Sequence, residues 1–355
     1  MTDNDPDYEY TEDFKGTSDE ELDQFAVGTG ATIKVFGMGG GGSNSVNRLY
    51  REKIPGIDLI ACNTDSNHLL RIKAKNKILL GENLTRGQGA GGDPRIGEEA
   101  ARESEKMFVS FMKGAEIVFI TAGLGGGTGT GSAPYAAKIA KEQGALTFGV
   151  VTLPFEGEGI RRMRKAVWGL KRLIPACDCV IVITNETLLT IAPDLPVDKS
   201  FRAADEVIVK AIKAITEILS YTRLINLDMK DLEEVVKNSG AAVIGIGYGT
   251  GEYGERVRQA VKDALASPFL DLDLSTATGV LINISASDPT IDETNIATEE
   301  VRKLISDKAK IIMGTGIDKS LDKKIQVTLI VTGLKLPSSI LDLEGTEEGG
   351  IDFIS

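Results

Sequence analysis

The nine residues Gly123-Leu-Gly-Gly-Gly-Thr-Gly-Thr-Gly131 hold six glycines and no titratable side chain. The chemistry open to them is that of the main chain, where N–H groups free of a blocking Cβ converge on an anion. An apolar run, Glu116-Ile-Val-Phe-Ile-Thr-Ala122, precedes them, and Ser132-Ala-Pro134 with the helical pattern Tyr135-Ala-Ala-Lys-Ile-Ala-Lys141 follows. Strand, glycine turn and helix start in that order aim a helix N-terminus at the turn, and the helix dipole there favours phosphate. A structural turn needs one or two glycines, so this density predicts a phosphate cradle.

Two further glycine segments are Gly37-Met-Gly-Gly-Gly-Gly-Ser-Asn44 and Gly87-Gln-Gly-Ala-Gly-Gly92. Gly37, Gly39 and Gly42 meet the dinucleotide pattern G-x-G-x-x-G, with Asp65 as an approximate ribose acid, which makes an NAD-dependent dehydrogenase one alternative. A run of glycines satisfies many patterns, however. The other two glycine segments and the single histidine, His68, fit that chemistry poorly. No Gly-Lys-Ser/Thr occurs, so a P-loop is excluded and main-chain N–H groups must hold the phosphates. A divalent cation is then expected to offset their charge, and no side chain is assigned as its ligand.

These turns need strands and helices to position them. Short β-branched strands are predicted at 32–36, 57–62, 78–80, 117–121, 146–152 and 179–184, with helices at 43–51, 95–112, 132–143 and 159–173. That alternation predicts a parallel sheet with helices on both faces. Val207, Ile208, Ala211, Ile212, Ile215, Ile218 and Leu219 then recur at helical spacing within 201–223, a helix long enough to lie between two domains and bury more than one face. A second alternation follows: helix 229–239, strand 241–248, helix 255–266, strand 279–285, helix 298–305 and strands near 310–314 and 324–332. The fold class expected is α/β: a Rossmann-type parallel-sheet domain, a long central helix and a smaller second α/β domain. The boundaries are a flexible acidic arm over 1–29, a nucleotide-binding domain over 30–200, the central helix over 201–225, a second domain over 226–335, and a polar tail over 336–355.

At 355 residues the chain has room for two cores, and 42% hydrophobic with 26% charged residues is ordinary for a globular protein. A formal charge of −12 argues against nucleic acid as a partner but not against a small nucleotide met by local dipoles. Cys62, Cys177 and Cys179 lack metal-ligand spacing and read as buried thiols, the last two directed to one face by their spacing. No apolar run approaches transmembrane length and the N-terminus is acidic, so a cytoplasmic location without membrane insertion is expected.

Gly39–Asn44, Asn63-Thr-Asp65, Gly89-Ala-Gly-Gly92, the nonamer with Ser132-Ala-Pro134, Thr152-Leu-Pro-Phe155 with Glu158 and Arg162, and Asn226-Leu-Asp228-Met-Lys-Asp231 together resemble the signature of the FtsZ family, prokaryotic relatives of tubulin. The resemblance runs from about Thr32 to Pro337. The acidic N-terminus and the ending Gly-Ile-Asp-Phe-Ile look more like archaeal members. It implies a GTP-binding and GTP-hydrolysing cytoskeletal protein that polymerises head to tail and acts in a mid-cell division ring. Gly40, Gly41, Gly42, Ser43 and Asn44 would form the first phosphate loop, Asn44 also reaching guanine. Ser43 stands where many members have glycine. Gly91 and Gly92 would line the γ-phosphate side, Gly126, Gly127, Thr128 and Gly129 would form the main cradle, and Glu158 and Arg162 would contact ribose and phosphate. Asp205 would read guanine, accepting from N1–H and the 2-amino group, a pairing adenine lacks. Asp228 and Asp231 would orient water above the γ-phosphate of a neighbouring subunit, with Asn226 positioning their loop and Mg²⁺ accompanying GTP. The last residues, Gly349–Ser355, would recruit a membrane-tethering adaptor of the SepF type.

Each assignment has a plainer counterpart. Glu158 and Arg162 are four apart and could form a surface ion pair worth about 0.3–0.5 kcal/mol. Asn44 could cap the first helix, Asp205 could be an ordinary acid near a helix start, and Asp228 and Asp231 could cap and favour the helix from Met229. A GTP-dependent scaffold with little hydrolysis and a role outside division is the remaining alternative.

Overall fold

The computed structural model describes residues 31–191, 197–219, 229–270, 274–306 and 308–336, within the compact unit that spans Ala31–Ser355. Its first half alternates strand and helix: β1 (Ile33–Met38), α1 (Gly39–Glu52), β2 (Ile57–Asn63), α2 (Ser66–Arg71), β3 (Asn76–Leu79), α3 (Glu82–Thr85), α4 (Pro94–Glu103) and α5 (Glu105–Met112). There follow β4 (Ile117–Gly123), α6 (Thr128–Glu142), β5 (Leu146–Leu153), α7 (Ile160–Ala176), β6 (Cys179–Thr184), α8 (Asn185–Ile191) and α9 (Val197–Ile218). The second half holds α10 (Met229–Val236), β7 (Gly240–Gly249), α11 (Glu255–Leu265), β8 (Gly279–Ala286), α12 (Ile291–Arg302), β9 (Lys310–Ile317) and β10 (Ile325–Leu334).

The strands join one ten-stranded sheet in the order β3-β2-β1-β4-β5-β6-β7-β10-β8-β9. From β3 to β7 every pairing is parallel, as the alternation requires, although β6 and β7 meet over only Cys179–Ile181 and Gly240–Ala242. β10 runs antiparallel between β7 and β8, so the second half is a mixed sheet. Strand order 3-2-1-4-5-6 reverses direction between β1 and β4, and ligands bind such sheets beyond the carboxyl ends of the strands at that reversal.

Alternate residues of the strands feed opposite cores. Val35, Phe119, Phe148 and Ile181 face α9, while Phe36, Met38, Ile120 and Val180 face α4–α7. Phe119 and Phe148 stack at 5.1 Å between ring centres. On α9, Ile208, Ile212, Ile215 and Ile218 are buried in a cluster that also takes in Leu281, Ile312 and Ile330 from the second half. At about 1.5–3 kcal/mol per buried side chain, this helix is the principal apolar link between the halves. Its observed span begins four residues before the expected one.

Three expectations are corrected. The predicted single helix 95–112 is broken at Ser104, whose buried hydroxyl donates to the Ala100 carbonyl at 3.0 Å and accepts from the Gly81 N–H at 3.1 Å. The predicted helix 298–305 starts at Ile291, where Thr290 and Glu293 form a capping box. Cys177 and Cys179 are buried on opposite faces rather than one, because Cys177 caps α7 before the strand alternation begins. Burial pushes both thiols up, that of Cys179 to about 12. Among the described residues no helix is long and apolar enough to cross a membrane.

Candidate nucleotide site

The parallel register of β1 and β4 sets Met38 beside Ala122, so both strands end together and both glycine turns leave the sheet side by side. They interlock: a Cβ at Gly39 would come within 2.6 Å of the Gly129 nitrogen, and one at Gly41 within 3.1 Å of the Gly123 nitrogen. Neither α1 nor α6 has a side-chain cap, so the first N–H groups of both helices remain available at the same place. α1 starts at Gly39 and α6 at Thr128, each four residues before its predicted start. Asn44 therefore lies inside α1 and is not its cap.

The density of glycine in the nonamer has a second cause that the sequence reading assigned wholly to phosphate. A Cβ at Gly131 would sit 1.9 Å from the Pro94 carbonyl oxygen, one at Gly127 2.9 Å from the Asp93 nitrogen, and one at Gly129 2.9 Å from the Met38 carbonyl oxygen. These positions let the 90–98 segment and α1 pack against the turn. Gly126 is different: it is part-exposed and nothing lies within 4 Å of its Cβ position. Gly40 shares that openness. Gly42 is buried with the Thr121 carbonyl 2.2 Å from its Cβ position, and the buried Ser43 hydroxyl turns to the Gly37 carbonyl at 3.4 Å. Both could serve a ligand through the main chain alone. Thr128 is buried with its hydroxyl 2.6 Å from that of Thr64. Gly91 and Gly92 are exposed, and the Gly92 carbonyl accepts from Lys165 Nζ at 2.7 Å.

A cleft of about 240 Å³ opens beside the two turns, lined by Gly41, Asn44, Gly123, Leu124, Thr152 and Pro154 together with Glu158, Arg162, Asn185, Phe201, Ala204 and Asp205. Glu158 and Arg162 form an ion pair at 2.9 Å. Glu158 also accepts from the Phe155 N–H at 2.9 Å, so it fixes the turn before α7 whatever else it binds. Asp205 is half-buried on α9 and accepts from the Ser45 hydroxyl at 2.9 Å. Burial pushes its carboxyl up to about 6, against the lowering effect of the Ser45 hydroxyl and of Arg48. Asp65 caps α2, accepting from the His68 N–H at 3.0 Å, and His68 Nδ1 lies 3.1 Å from Asn63 Nδ2. Both residues have local structural roles.

Two cleft residues escaped the sequence reading. Asn185 directly follows β6, is buried, and its Oδ1 has no partner among the described residues. Such an atom costs about 1–3 kcal/mol unless a ligand satisfies it. Phe201 is 42% exposed and meets Phe155 edge-on at 5.4 Å. It precedes Asp205 by four residues on α9, a spacing that puts both on one helix face and could have revealed it. Asp231, by contrast, is exposed on α10, which packs on β8 and β9 at the far end of the sheet. The structure does not bring it to the cleft of its own chain. Asn226, Asp228 and the tail 349–355 lie outside the described residues.

Comparison with known proteins places these features in a family. Residues 32–193 match the GTPase domain of the Tubulin/FtsZ family, and residues 240–335 match the FtsZ family C-terminal domain. The chain is 48% identical over 334 residues to cell division protein FtsZ 1 of Pyrococcus furiosus, covering 93% of this chain and 89% of the relative. To its counterpart in Methanocaldococcus jannaschii it is 46% identical over 318 residues, covering 89% and 87%. The solved empty FtsZ dimer of M. jannaschii superposes with a TM-score of 0.86 at 44% identity, covering 95% of this chain and 99% of that one. The chain belongs to the FtsZ family of tubulin-like cell-division GTPases.

Proposed function

We propose that the chain binds GTP in the cleft at the β1–β4 junction, polymerises head to tail, and hydrolyses GTP only where the next subunit completes the site. The observation that carries the reading is the separation of its parts. Main-chain N–H groups and a half-buried carboxylate gather at one end of the sheet, while Asp231 projects from α10 at the other. In this reading the N–H groups of the turns around Gly40 and Gly126 hold the phosphates, with Gly91 and Gly92 on the γ-phosphate side. Arg162 and Glu158 meet the ribose and phosphate, Phe201 offers a ring to the base, and Asn185 supplies the buried amide. Asp205 accepts from the guanine edge.

Asp228 and Asp231 of one subunit orient a water for in-line attack in the next, with Asn226 positioning their loop. No cluster of carboxylates suited to a metal occurs among the described residues, so Mg²⁺ fits this site as a cation held chiefly by phosphate oxygens and water. When bound it neutralises charge on the phosphates. A contact that repeats without closing yields an open protofilament. The M. jannaschii relative's structure as a dimer supports self-association. The two family matches lie on either side of α9, which supports a GTP-binding domain over 30–200, a central helix over 201–225 and a second domain over 226–335. The filament would act in the cytoplasm at the division ring, tethered through Gly349–Ser355 to a SepF-type adaptor.

Pelleting with GTP, GDP, ATP and NAD, with and without Mg²⁺, tests the reading. GTP-specific, Mg²⁺-dependent assembly with phosphate release is expected, whereas assembly without turnover points to the scaffold and NAD binding alone to the dehydrogenase. Asp231→Ala should retain GTP binding and lose turnover by about 100-fold or more, as for other groups that position a reacting water. Loss of GTP binding in that variant would sink the split-site assignment.

A further inference from the structure

We propose that the Ser45 hydroxyl is a positioning residue for base specificity, holding the Asp205 carboxylate in the orientation that accepts from a guanine edge. The proposal rests on the guanine-nucleotide reading above. Ser45 is fully buried on α1, one turn after Gly41. Its Oγ lies 2.9 Å from Asp205 Oδ1 and 3.2 Å from the Gly41 carbonyl oxygen. A hydroxyl has one proton and can donate fully to only one of them. The carboxylate is the stronger acceptor, and a charge-assisted bond is the shorter and stronger kind. The Gly41 carbonyl, four residues back, is the ordinary fallback partner of a helical serine. One hydroxyl thus joins the helix that carries the first glycine turn to the helix that carries the base-reading acid.

The hydrogen bonds of Arg48 fall on other groups of α9 and not on this carboxylate. Arg48, three residues after Ser45, donates to the Arg202 carbonyl at 3.2 Å and pairs with Glu206. Among the described residues Ser45 is the group that hydrogen-bonds the Asp205 carboxylate. Asp205 lines the cleft, and Ser45 is bonded to one of its two carboxylate oxygens. Without the hydroxyl the carboxylate is free to rotate, and a misaimed carboxylate loses the paired acceptance that separates guanine from other bases.

The charge state of the same group supplies a second readout. The charged groups acting on Asp205 are Arg48 on α1 and Glu206 on α9, while Glu158, before α7, and Arg162, in its first turn, line the same cleft. Burial raises the Asp205 carboxyl to about 6 and the Ser45 hydroxyl opposes that rise. Only the ionised form accepts through both oxygens, so guanine preference is full above this value and fades as pH falls through it. Removing the hydroxyl raises the carboxyl further, and the fading then begins at a higher pH.

The test is competition of GDP, inosine diphosphate and ADP against a fluorescent GDP on the full chain, repeated from pH 5 to 8. Inosine diphosphate keeps N1–H and lacks the 2-amino group, so the GDP-to-IDP ratio reads the aim of the carboxylate. Ser45→Ala should narrow that ratio by about three- to tenfold at pH 7, the net scale of one ordinary hydrogen bond, and move its pH midpoint upward. Ser45→Thr keeps the hydroxyl and should restore the wild-type ratio and midpoint. Ser45→Cys, with a weak donor of similar size, gives the same reading should the alanine variant fail to fold. Equal loss of all three nucleotides in the folded alanine or cysteine variant, or an unmoved ratio and midpoint, overturns the proposal. Wild-type protein that does not prefer GDP to ADP overturns the guanine reading itself. A wild type that prefers GDP beside a Ser45→Ala variant that keeps the full ratio overturns only the role of Ser45.

Discussion

A methyl group at Gly126 would meet no protein atom within 4 Å, and one at Gly131 would press to 1.9 Å from the Pro94 carbonyl oxygen. Five residues apart on one turn, the two glycines answer to different constraints. Gly126 has a φ that any residue adopts, so the protein alone would accept alanine there. Gly126→Ala should keep the wild-type melting temperature and lose GTP affinity by about 100-fold, because in the proposed site the new methyl takes space given to phosphate. Gly131→Ala should instead lower stability by about 1–3 kcal/mol through overpacking against α4, measured by urea unfolding. Equal melting of the two variants would show that the turn is uniform. The nonamer was legible in the sequence as a glycine turn between a strand and a helix, but its glycine count was not divisible by reading. Which glycines serve the ligand and which serve packing depends on α4, whose approach no local pattern announces.

The same division between local and distant causes runs through the elements. Strand β6 is found at its expected bounds, because a β-branched run needs only its own residues to declare itself. The helices that start within the two glycine turns begin four residues before their expected bounds, since glycine is a poor helix former and the reward for starting there comes from the junction of β1 and β4. The start of α12 was missed although Thr290-x-x-Glu293 states a capping box in sequence. Glu293 does more than cap: fully buried, it accepts from Arg256 Nε at 2.6 Å and Nη2 at 3.1 Å, tying α12 to α11. Sequence spacing cannot pair residues 37 apart on different helices. Breaking such a buried pair leaves an uncompensated charge, so Arg256→Met should cost about 3–5 kcal/mol in unfolding free energy. Adding Glu293→Met to it should recover most of that loss, and a double variant no more stable than the single one would deny the coupling.

For the whole molecule, the separation of the cleft from Asp231 sets up a direct test of the proposed split site. The cleft lies where β1 meets β4, the third and fourth strands of the sheet, and α10 lies against β8 and β9 at its last edge. If each active site joins the cleft of one subunit to the Asp231 loop of the next, a defect in either half is confined to one side of each contact. A Gly126→Ala subunit has a damaged cleft and an intact loop, and an Asp231→Ala subunit has the reverse. Each variant alone should be inactive. Mixed in equal amounts they create contacts in which an intact cleft faces an intact loop, at a frequency of about one in four if they copolymerise at random. Phosphate release should therefore reappear on mixing, up to roughly a quarter of the wild-type rate, and should fall steeply on dilution because it requires the contact. A site contained in one subunit predicts the opposite: two inactive chains stay inactive at every ratio. Restored turnover from two dead variants would place the cleft of one subunit and Asp231 of the next in a single site formed across the contact, as proposed.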